Sequence, residues 1–523
     1  MIKNKKSIAI LTVLLLSTGH LYSQDIYRNI NDSSQFNAFH SLNGLSGASE
    51  YGTGQAFIDI NNDGFQDIVV SNQTGPNRLF INQGDETFIQ LAKFQNIALA
   101  DSLCKGVSIA DFNNDGWDDI YFSCMGPDYL FKNINGNELV NVASEVGINN
   151  PYNTQLAAWA DINNDGWLDI YVINHDVGYH ESVTEVHGAP IVDAFYLSNG
   201  DGTFTDIITD FDSMQTIKPN LAVTFFDYDN DGDQDLYVVS DRVKGNVLWK
   251  NDGPATNNCG SHWCFSDVSE SSNSDKAVFG MGVATGDIDN DGDYDLYFSS
   301  IGEQVLLLNQ TSQGNNVFVD ASPGSALNIP TLSWGTMFLD YNNDSWLDAY
   351  ISVHGFAEGL TDTLFENNQD GTFTNLNATT GATNHFDSEG VANGDINNDG
   401  KLDIVLANRG VNYQLFKNEA INSNNWIRLK LVGGDNINKN AIGSKVIVNT
   451  DNGVSQIRTL SSGSSRGAGN ELILHFGLGS ANITSMQIIW SDGSVQNITP
   501  PTVNQLTTID YTGFNLIFAN GFE

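Results

Sequence analysis

The sequence predicts an all-β chain: a seven-bladed β-propeller followed by a small β-sandwich-like C-terminal domain. Three observations predict it. A nine-residue acidic loop recurs seven times along 523 residues, with starts 52, 50, 66, 60, 53 and 55 positions apart, the mark of repeated supersecondary units. Each copy lies between two apolar strand-like runs and is followed by two more, giving the four antiparallel strands of a propeller blade. The seventh repeat lacks its fourth strand, while an unassigned strand-like run precedes the first, so the chain ends can close a ring and remove an exposed edge.

Taken in order, the chain opens with Lys3, Lys5 and Lys6, then an apolar run from Ile8 to Leu16, too short to span a bilayer. This reads as a secretory leader over residues 1–23, cleaved after Ser23. The segment Phe36-Asn37-Ala38-Phe39 stands 23 residues before the first loop, and Phe88, Leu139, Phe204, Phe265, Phe318 and Phe373 begin fourth strands 22 or 23 residues before the next. It is the expected closing strand of a propeller spanning residues 24–421.

The loops carry the chemistry. In the copy starting at Asp287, side-chain oxygens of Asp287, Asp289, Asp291 and Asp295 stand at positions one, three, five and nine, with the Asp293 carbonyl at seven. A tight loop points these oxygens at one centre, which suits calcium with its six to eight hard ligands at about 2.3–2.6 Å. The copy at Asp227 repeats this set with Asp229, Asp231, Asp235 and the Asp233 carbonyl. In the other five, position three is Asn. These sets are Asp59, Asn61, Asp63, Asp67 and the Phe65 carbonyl; Asp111, Asn113, Asp115, Asp119 and the Trp117 carbonyl; and Asp161, Asn163, Asp165, Asp169 and the Trp167 carbonyl. The last two are Asp340, Asn342, Asp344, Asp348 with the Trp346 carbonyl, and Asp395, Asn397, Asp399, Asp403 with the Lys401 carbonyl. Up to seven calcium ions are expected, tightest in the two four-carboxylate loops. The weakest site is expected at Asp340, where Ser345 replaces the glycine of position six and a left-handed backbone costs about 1 kcal/mol. Position twelve is a strand residue such as Val70 or Phe298, so these loops lack the closing Glu of an EF-hand.

Third strands such as Arg78-Leu79-Phe80-Ile81 and Val247-Leu248-Trp249 follow, joined to the fourth by turns such as Asn199-Gly200-Asp201-Gly202. Cys104 and Cys124 flank the second loop at mirror positions, and Cys259 and Cys264 would close a small loop; export permits both bridges. The net charge of -41 is concentrated in the loops and argues against nucleic acid, whose phosphates need clustered Lys and Arg. No later run is long enough to cross a membrane.

The seven hairpins, with Phe279-Gly280 and Asn199-Gly200-Asp201-Gly202-Thr203-Phe204, resemble the FG-GAP/VCBS repeats of integrin-like propellers. Asn425-Trp426-Ile427-Arg428-Leu429-Lys430-Leu431, Ala441-Ile442-Gly443-Ser444 and Leu474-His475-Phe476-Gly477-Leu478-Gly479 resemble the ASPIC/UnbV module. Together they are similar to the cartilage-acidic-protein-like family over about residues 30 to 511, with the module at 422–511 and a tail at 512–523. The resemblance implies calcium, an extracellular address (secreted, cell surface or periplasm) and an adhesion or recognition role toward a protein or polysaccharide. Gly463-Ser464-Ser465-Arg466-Gly467 lacks the aromatic expected in the family's glycine-rich stretch, so no role is assigned to it. The competing reading is a secreted polysaccharide hydrolase or lyase. It would use the face opposite the hairpins, where His175, His180, His187, His354 and His385 gather near Asp176, Glu181 and Glu185. No Ser-His-Asp order, phosphate-cradling loop or zinc-spaced cysteine set supports catalysis.

Overall fold

The computed structural model describes residues 25–41, 52–99, 102–175, 192–211, 214, 218–254, 263–355 and 360–512. The leader, the tail beyond Thr512, His180, His187, Cys259 and the acidic residues of the third-blade insertion lie outside these residues.

Each acidic loop is the tip of an antiparallel hairpin between the first and second strands of a four-stranded sheet. Blade 2 shows the plan: Cys104–Ala110, Asp119–Cys124, Tyr129–Ile134 and Glu138–Asn141 pair in sequence order. Seven four-stranded units of this kind form, those of blades 5 and 6 joined into one sheet where Ile301 and Gly302 pair with Leu332 and Thr331. Their first strands contact one another in sequence, with Gln55–Ile58 of blade 1 meeting both Cys104–Ala110 of blade 2 and Ser388–Gly394 of blade 7. First strands are buried on both faces, which is why they read as small and apolar runs such as Leu156-Ala157-Ala158-Trp159-Ala160. Between neighbouring blades lies an apolar cluster. Ala56, Val69 and Leu79 of blade 1 pack on Val107, Phe122 and Phe131 of blade 2, and the remaining pairs repeat the arrangement. The core is therefore a ring of interblade seams, not one central mass.

The closing strand is not the one the sequence suggested. Tyr27–Asn29 pairs antiparallel with Gln414–Asn418, Tyr27 opposite Asn418. Phe36-Asn37-Ala38-Phe39 follows a short helix and a left-handed Gln35 (φ 61°), and runs beside residues 411–413. It bonds there through His40 N–H to the Val411 carbonyl (3.0 Å) and Tyr413 N–H to the Ala38 carbonyl (2.9 Å). Its alternation has another cause: Phe36 and Ala38 fill the seam between blades 7 and 1, with the Phe36 ring 4.8 Å from that of Phe80.

Cys104 and Cys124 face each other across the second hairpin and are bonded. Cys264 is disulfide-bonded as well.

The C-terminal module stacks two sheets. Leu474–Gly479, Asn425–Val432 and Leu506–Asp510 form one; Ser455–Thr459, Lys445–Thr450, Ile483–Ile489 and Val495–Ile498 form the other. Ile427, Leu429, Val446, Val448, Phe476, Ile488 and Trp490 fill the space between them.

Candidate metal centres and the plugged channel

The seven loops share one internal geometry. Position one binds the turn: Asp59 Oδ1 accepts Asp63 N–H (2.9 Å) and its Oδ2 accepts Gly64 N–H (3.1 Å), and the other six loops repeat both bonds. Position four is Asn in every copy, with φ between 54° and 61°, and position six has φ between 80° and 96°, including Ser345 at 85°. That strain at Ser345 is the one the sequence anticipated. Position nine is buried throughout. Asp67 accepts Ile60 N–H with one oxygen (3.2 Å) and Asn82 N–H of the third strand with the other (2.7 Å), which locks the hairpin to its own blade. The position-seven rings lie over the turn between third and fourth strands: a Cβ on Gly84 would meet Phe65 at 3.0 Å, and one on Gly136 would meet Trp117 at 2.8 Å.

Two links that sequence reasoning missed tie the loops into a ring. The position-four amides each donate to the next loop: Asn62 to the Gly116 carbonyl (3.0 Å), Asn114 to Gly166 (2.8 Å), Asn164 to the Asp233 carboxylate (3.0 Å) and Asn230 to Gly292 (3.4 Å). Asn290 reaches Ser345 (3.2 Å), Asn343 reaches Gly400 (3.0 Å), and Asn398 returns to Gly64 of the first loop (3.0 Å). An asparagine ending the third strand makes the second link, backwards to the position-two carbonyl of the preceding blade. Asn133 donates to Ile60 and Asn418 to Tyr341, both at 2.8 Å. Blade 3 has Ser198 there and lacks the amide. The signal was legible: Asn at loop position four in all seven copies, and Asn closing six of seven third strands.

The donor set fits a hard divalent cation. Oxygens of Asp227, Asp229 and Asp231, and of Asp287, Asp289 and Asp295, lie within 4.8 Å of one another. Asp229 Oδ1 and Asp293 Oδ1 are buried without a hydrogen-bond partner, as orphaned acceptors facing a missing positive charge would be. Burial raises Asp287 to about 8, and burial with the repulsion of neighbouring carboxylates raises Asp289 and Asp293 to about 6. Burial likewise lifts Asp111, Asp161 and Asp340 to about 7.

The two four-carboxylate loops differ in their surroundings. Lys250 Nζ contacts Asp229 and lies 2.7 Å from Asp231, and Lys445 Nζ lies 3.1 Å from Asp227. In the Asp287 loop the carboxylates meet Ser312 instead, whose N–H and hydroxyl donate to Asp293 (2.6 Å) and Asp291 (2.9 Å).

Lys445 belongs to the C-terminal module, which covers the hairpin face. Arg428 lies 3.0 Å from Asp395, Lys430 lies 3.8 Å from Asp59, and Asn440 takes the Asp111 N–H and donates to Asp118. From this module, residues 461–471 enter the channel along the propeller axis. Ser462 bonds Ile109 and Trp159 of blades 2 and 3, and Ser465 exchanges backbone bonds with Val283 of blade 5 while its hydroxyl accepts Thr336 N–H of blade 6. Ala468–Gly469 pairs in parallel with Gln55–Ile58 of blade 1, and Asn470 takes the Asn393 N–H of blade 7. Arg466 lies 4.3 Å above the Trp334 ring. The stretch without an assigned role is thus a channel plug. Its glycines are required there: a Cβ on Gly463 (φ 85°) would stand 2.6 Å from the Ala157 carbonyl oxygen.

Among the described residues, the histidines form no group of three or more potential metal ligands. His175 is buried, with Nε2 3.8 Å from Asp241, and burial lowers its pKa; His354 is buried with Nδ1 3.2 Å from Asp387; His385 is exposed. Among the described residues, the groups of three or more potential metal ligands are the two aspartate sets above.

Two family models match the repeats and the C-terminal module. An FG-GAP-like repeat model matches residues 59–122, 111–172, 227–298 and 353–406, and an ASPIC and UnbV model matches residues 434–515. Cartilage acidic protein 1 of Xenopus tropicalis is 22% identical over 506 residues, covering 89% of this chain and 74% of that protein. The Homo sapiens protein of the same name is 25% identical over 512 residues, covering 89% and 73%. Among solved structures, an Agrocybe aegerita lectin described as recognising non-reducing terminal N-acetylglucosamine aligns over 69% of this chain and 86% of its own, at 15% identity and a TM-score of 0.40. The chain is an FG-GAP-like repeat protein with a C-terminal ASPIC and UnbV domain, similar over most of its length to cartilage acidic protein 1.

Proposed function

We propose that this chain is an exported recognition scaffold, stiffened by calcium in its hairpin ring, that binds a protein or polysaccharide through the loops of the face opposite the hairpins. The observation that carries this reading is the coverage of the hairpin face. The C-terminal module sits on the loops and its segment 461–471 occupies the channel, so the opposite face is the one left for a partner. The leader-like N-terminus supports export, and no helix among the described residues is long and apolar enough to cross a membrane. The calcium would be held by positions one, three, five and nine of each loop and would supply the positive charge those buried carboxylates lack.

The test is thermal unfolding and calorimetric titration of the full chain, first in chelator and then in millimolar calcium. A calcium-dependent rise in melting temperature with measurable heats of binding is expected. Identical melting in the two conditions would overturn the calcium part of the reading. A partner whose binding survives alanine substitutions across the loops opposite the hairpins would overturn the part concerning the face.

A further inference from the structure

On the face opposite the hairpins, blade 7 carries an open cleft of about 490 Å³ lined by Asn29, Asn31, Phe39, Phe386, Asn412 and Gln414. That volume is in the range of small-ligand sites. Three phenylalanines among the described residues are more than a third exposed, and two of them, Phe39 at 48% and Phe386 at 46%, stand on this cleft.

Neither ring is displayed on a loose loop. Phe39 is bridged to Asn412 and flanked by the two backbone bonds of residues 38 and 40 to residues 413 and 411. Phe386 donates its N–H to Asn384 Oδ1 (2.7 Å), and the next residue, Asp387, is anchored by Arg409 (2.8 Å) and by the Gly355 N–H (3.1 Å). An aromatic held rigidly toward water costs hydration free energy unless something covers it, and rigidity lowers the entropy lost when a ligand binds.

The polar lining consists of side-chain amides. Gln414 uses its oxygen to accept Asn384 Nδ2 (3.0 Å), and Asn29 uses its oxygen to accept Asn31 N–H (3.1 Å), so among the described residues the amino group of each is uncommitted. Asn412 is exposed, and nothing among the described residues engages its side chain. Asn31 is spent on the fold, bonding Phe36, Tyr413 and Leu415. In a chain of net charge -41 this lining carries no charged side chain.

We propose that this cleft binds a neutral glycan. A pyranose ring presents a face of C–H bonds that packs on an aromatic ring, and a rim of hydroxyls that both donate and accept, as amides do. The absence of charge selects against acidic sugars and phosphates. An extended peptide adding to the sheet is disfavoured, because the neighbouring edge of Gln414–Asn418 is already paired with Tyr27–Asn29. The proposal deepens the recognition reading, on which it rests for the choice of face.

The experiment screens the full chain in millimolar calcium against neutral oligosaccharides of glucose, galactose, mannose and N-acetylglucosamine by saturation-transfer NMR, then measures affinity calorimetrically for Phe386→Ala, Phe39→Ala and Gln414→Ala. Binding of at least one of these sugars is expected, with a loss of tenfold or more in Phe386→Ala and an unchanged melting temperature in that variant, whose ring is half exposed. Sugar binding that is equal in all three variants would overturn the cleft while leaving the recognition role standing. Absence of binding by every oligosaccharide in the panel, or binding of an unstructured peptide that Phe386→Ala abolishes, would overturn the glycan assignment.

Discussion

The guanidinium of Arg428 lies 3.0 Å from Oδ2 of Asp395, and neither side chain is exposed. Asp395 opens the seventh acidic loop, and Arg428 lies on the first strand of the C-terminal module, so one ion pair joins the two domains at a candidate metal site. Glu471, at the end of the plug, lies 2.5 Å from the same guanidinium, and Asn398 accepts from it at 2.7 Å. Burial still pushes Glu471 up to about 7. Charges in such a place are costly unless paired. Arg428→Met leaves two buried carboxylates without their cation, at about 3–5 kcal/mol. The expected outcome is a lower first melting transition in calorimetry and faster proteolysis between the domains near Asn422. Arg428→Met with the wild-type profile would show that the pair does not hold the module down.

Lysine placement ranks the two four-carboxylate loops, which composition alone ranked together. An ammonium group lies in direct contact with Asp229 and Asp231, and another with Asp227. Asp287, Asp289 and Asp291 instead meet only hydroxyl and backbone N–H donors within hydrogen-bond reach, the buried guanidinium of Arg458 acting on Asp287 from farther off. Calcium should therefore fill the Asp287 loop first. Calorimetry should show that Asp291→Ala removes the tightest site, that Lys250→Ala strengthens the Asp227 loop by about tenfold, worth about 1.4 kcal/mol, and that Asp344→Ala in the strained Ser345 loop changes least. Each filled site with calcium at ten times its dissociation constant adds about 1.4 kcal/mol. Equal heats in wild type and Lys250→Ala would mean that Lys250 leaves the loop freely.

The repeat period, the hairpin tips and the four-strand grouping were legible because each is written in local pattern: glycine at a turn, aspartate at odd positions, alternating apolar runs. Position-four asparagines were equally visible yet carried no message, since the partner that gives Asn398 its meaning is Gly64, at the far end of the chain. The plug was invisible for a related reason. Gly463 and Ser465 carry no assignable role until the inner strands of the blades surround them and supply donors and acceptors for the segment. Phe36-Asn37-Ala38-Phe39 misled because alternation reports two faces of different polarity and does not say which strand lies alongside.

Closure through Tyr27–Asn29 gives a sharper truncation test. Tyr27 is buried, its hydroxyl donates to the Leu402 carbonyl (3.1 Å), and Arg28 pairs with Glu419 at 2.7 Å. Removing residues 24–30 while keeping Phe36 to Phe39 should expose the edge of Gln414–Asn418 and give a protein that self-associates in light scattering. A truncated chain that stays monomeric at the wild-type melting temperature would place the closing interaction at Phe36 to Phe39 after all.

Asp362 provides a pH test away from the metal loops. Its Oδ1 accepts Val353 N–H (2.8 Å) and its Oδ2 accepts the Ser388 hydroxyl (2.9 Å), with Tyr350 the nearby titratable group, and burial raises it to about 8. Blade 4 places an amide in the same role: Asn246 Oδ1 accepts Ser240 N–H (3.0 Å). The folded state thus prefers the neutral acid. Because the folded pKa stands above the unfolded value near 3.9, the contribution of Asp362 to stability is complete below pH 4 and is lost as the pH rises through 8. Asp128 and Asp193, raised by burial to about 7, act in the same direction. Asp362→Asn keeps the acceptor for Val353 and turns its amino group to Ser388, whose hydroxyl is then left to donate to Asn408. The variant should melt a few degrees higher than wild type at pH 8.5 and about the same at pH 5, measured at saturating calcium so that the loops stay loaded. A stabilisation of equal size at both pH values would show that the gain comes from packing rather than from removing a buried charge.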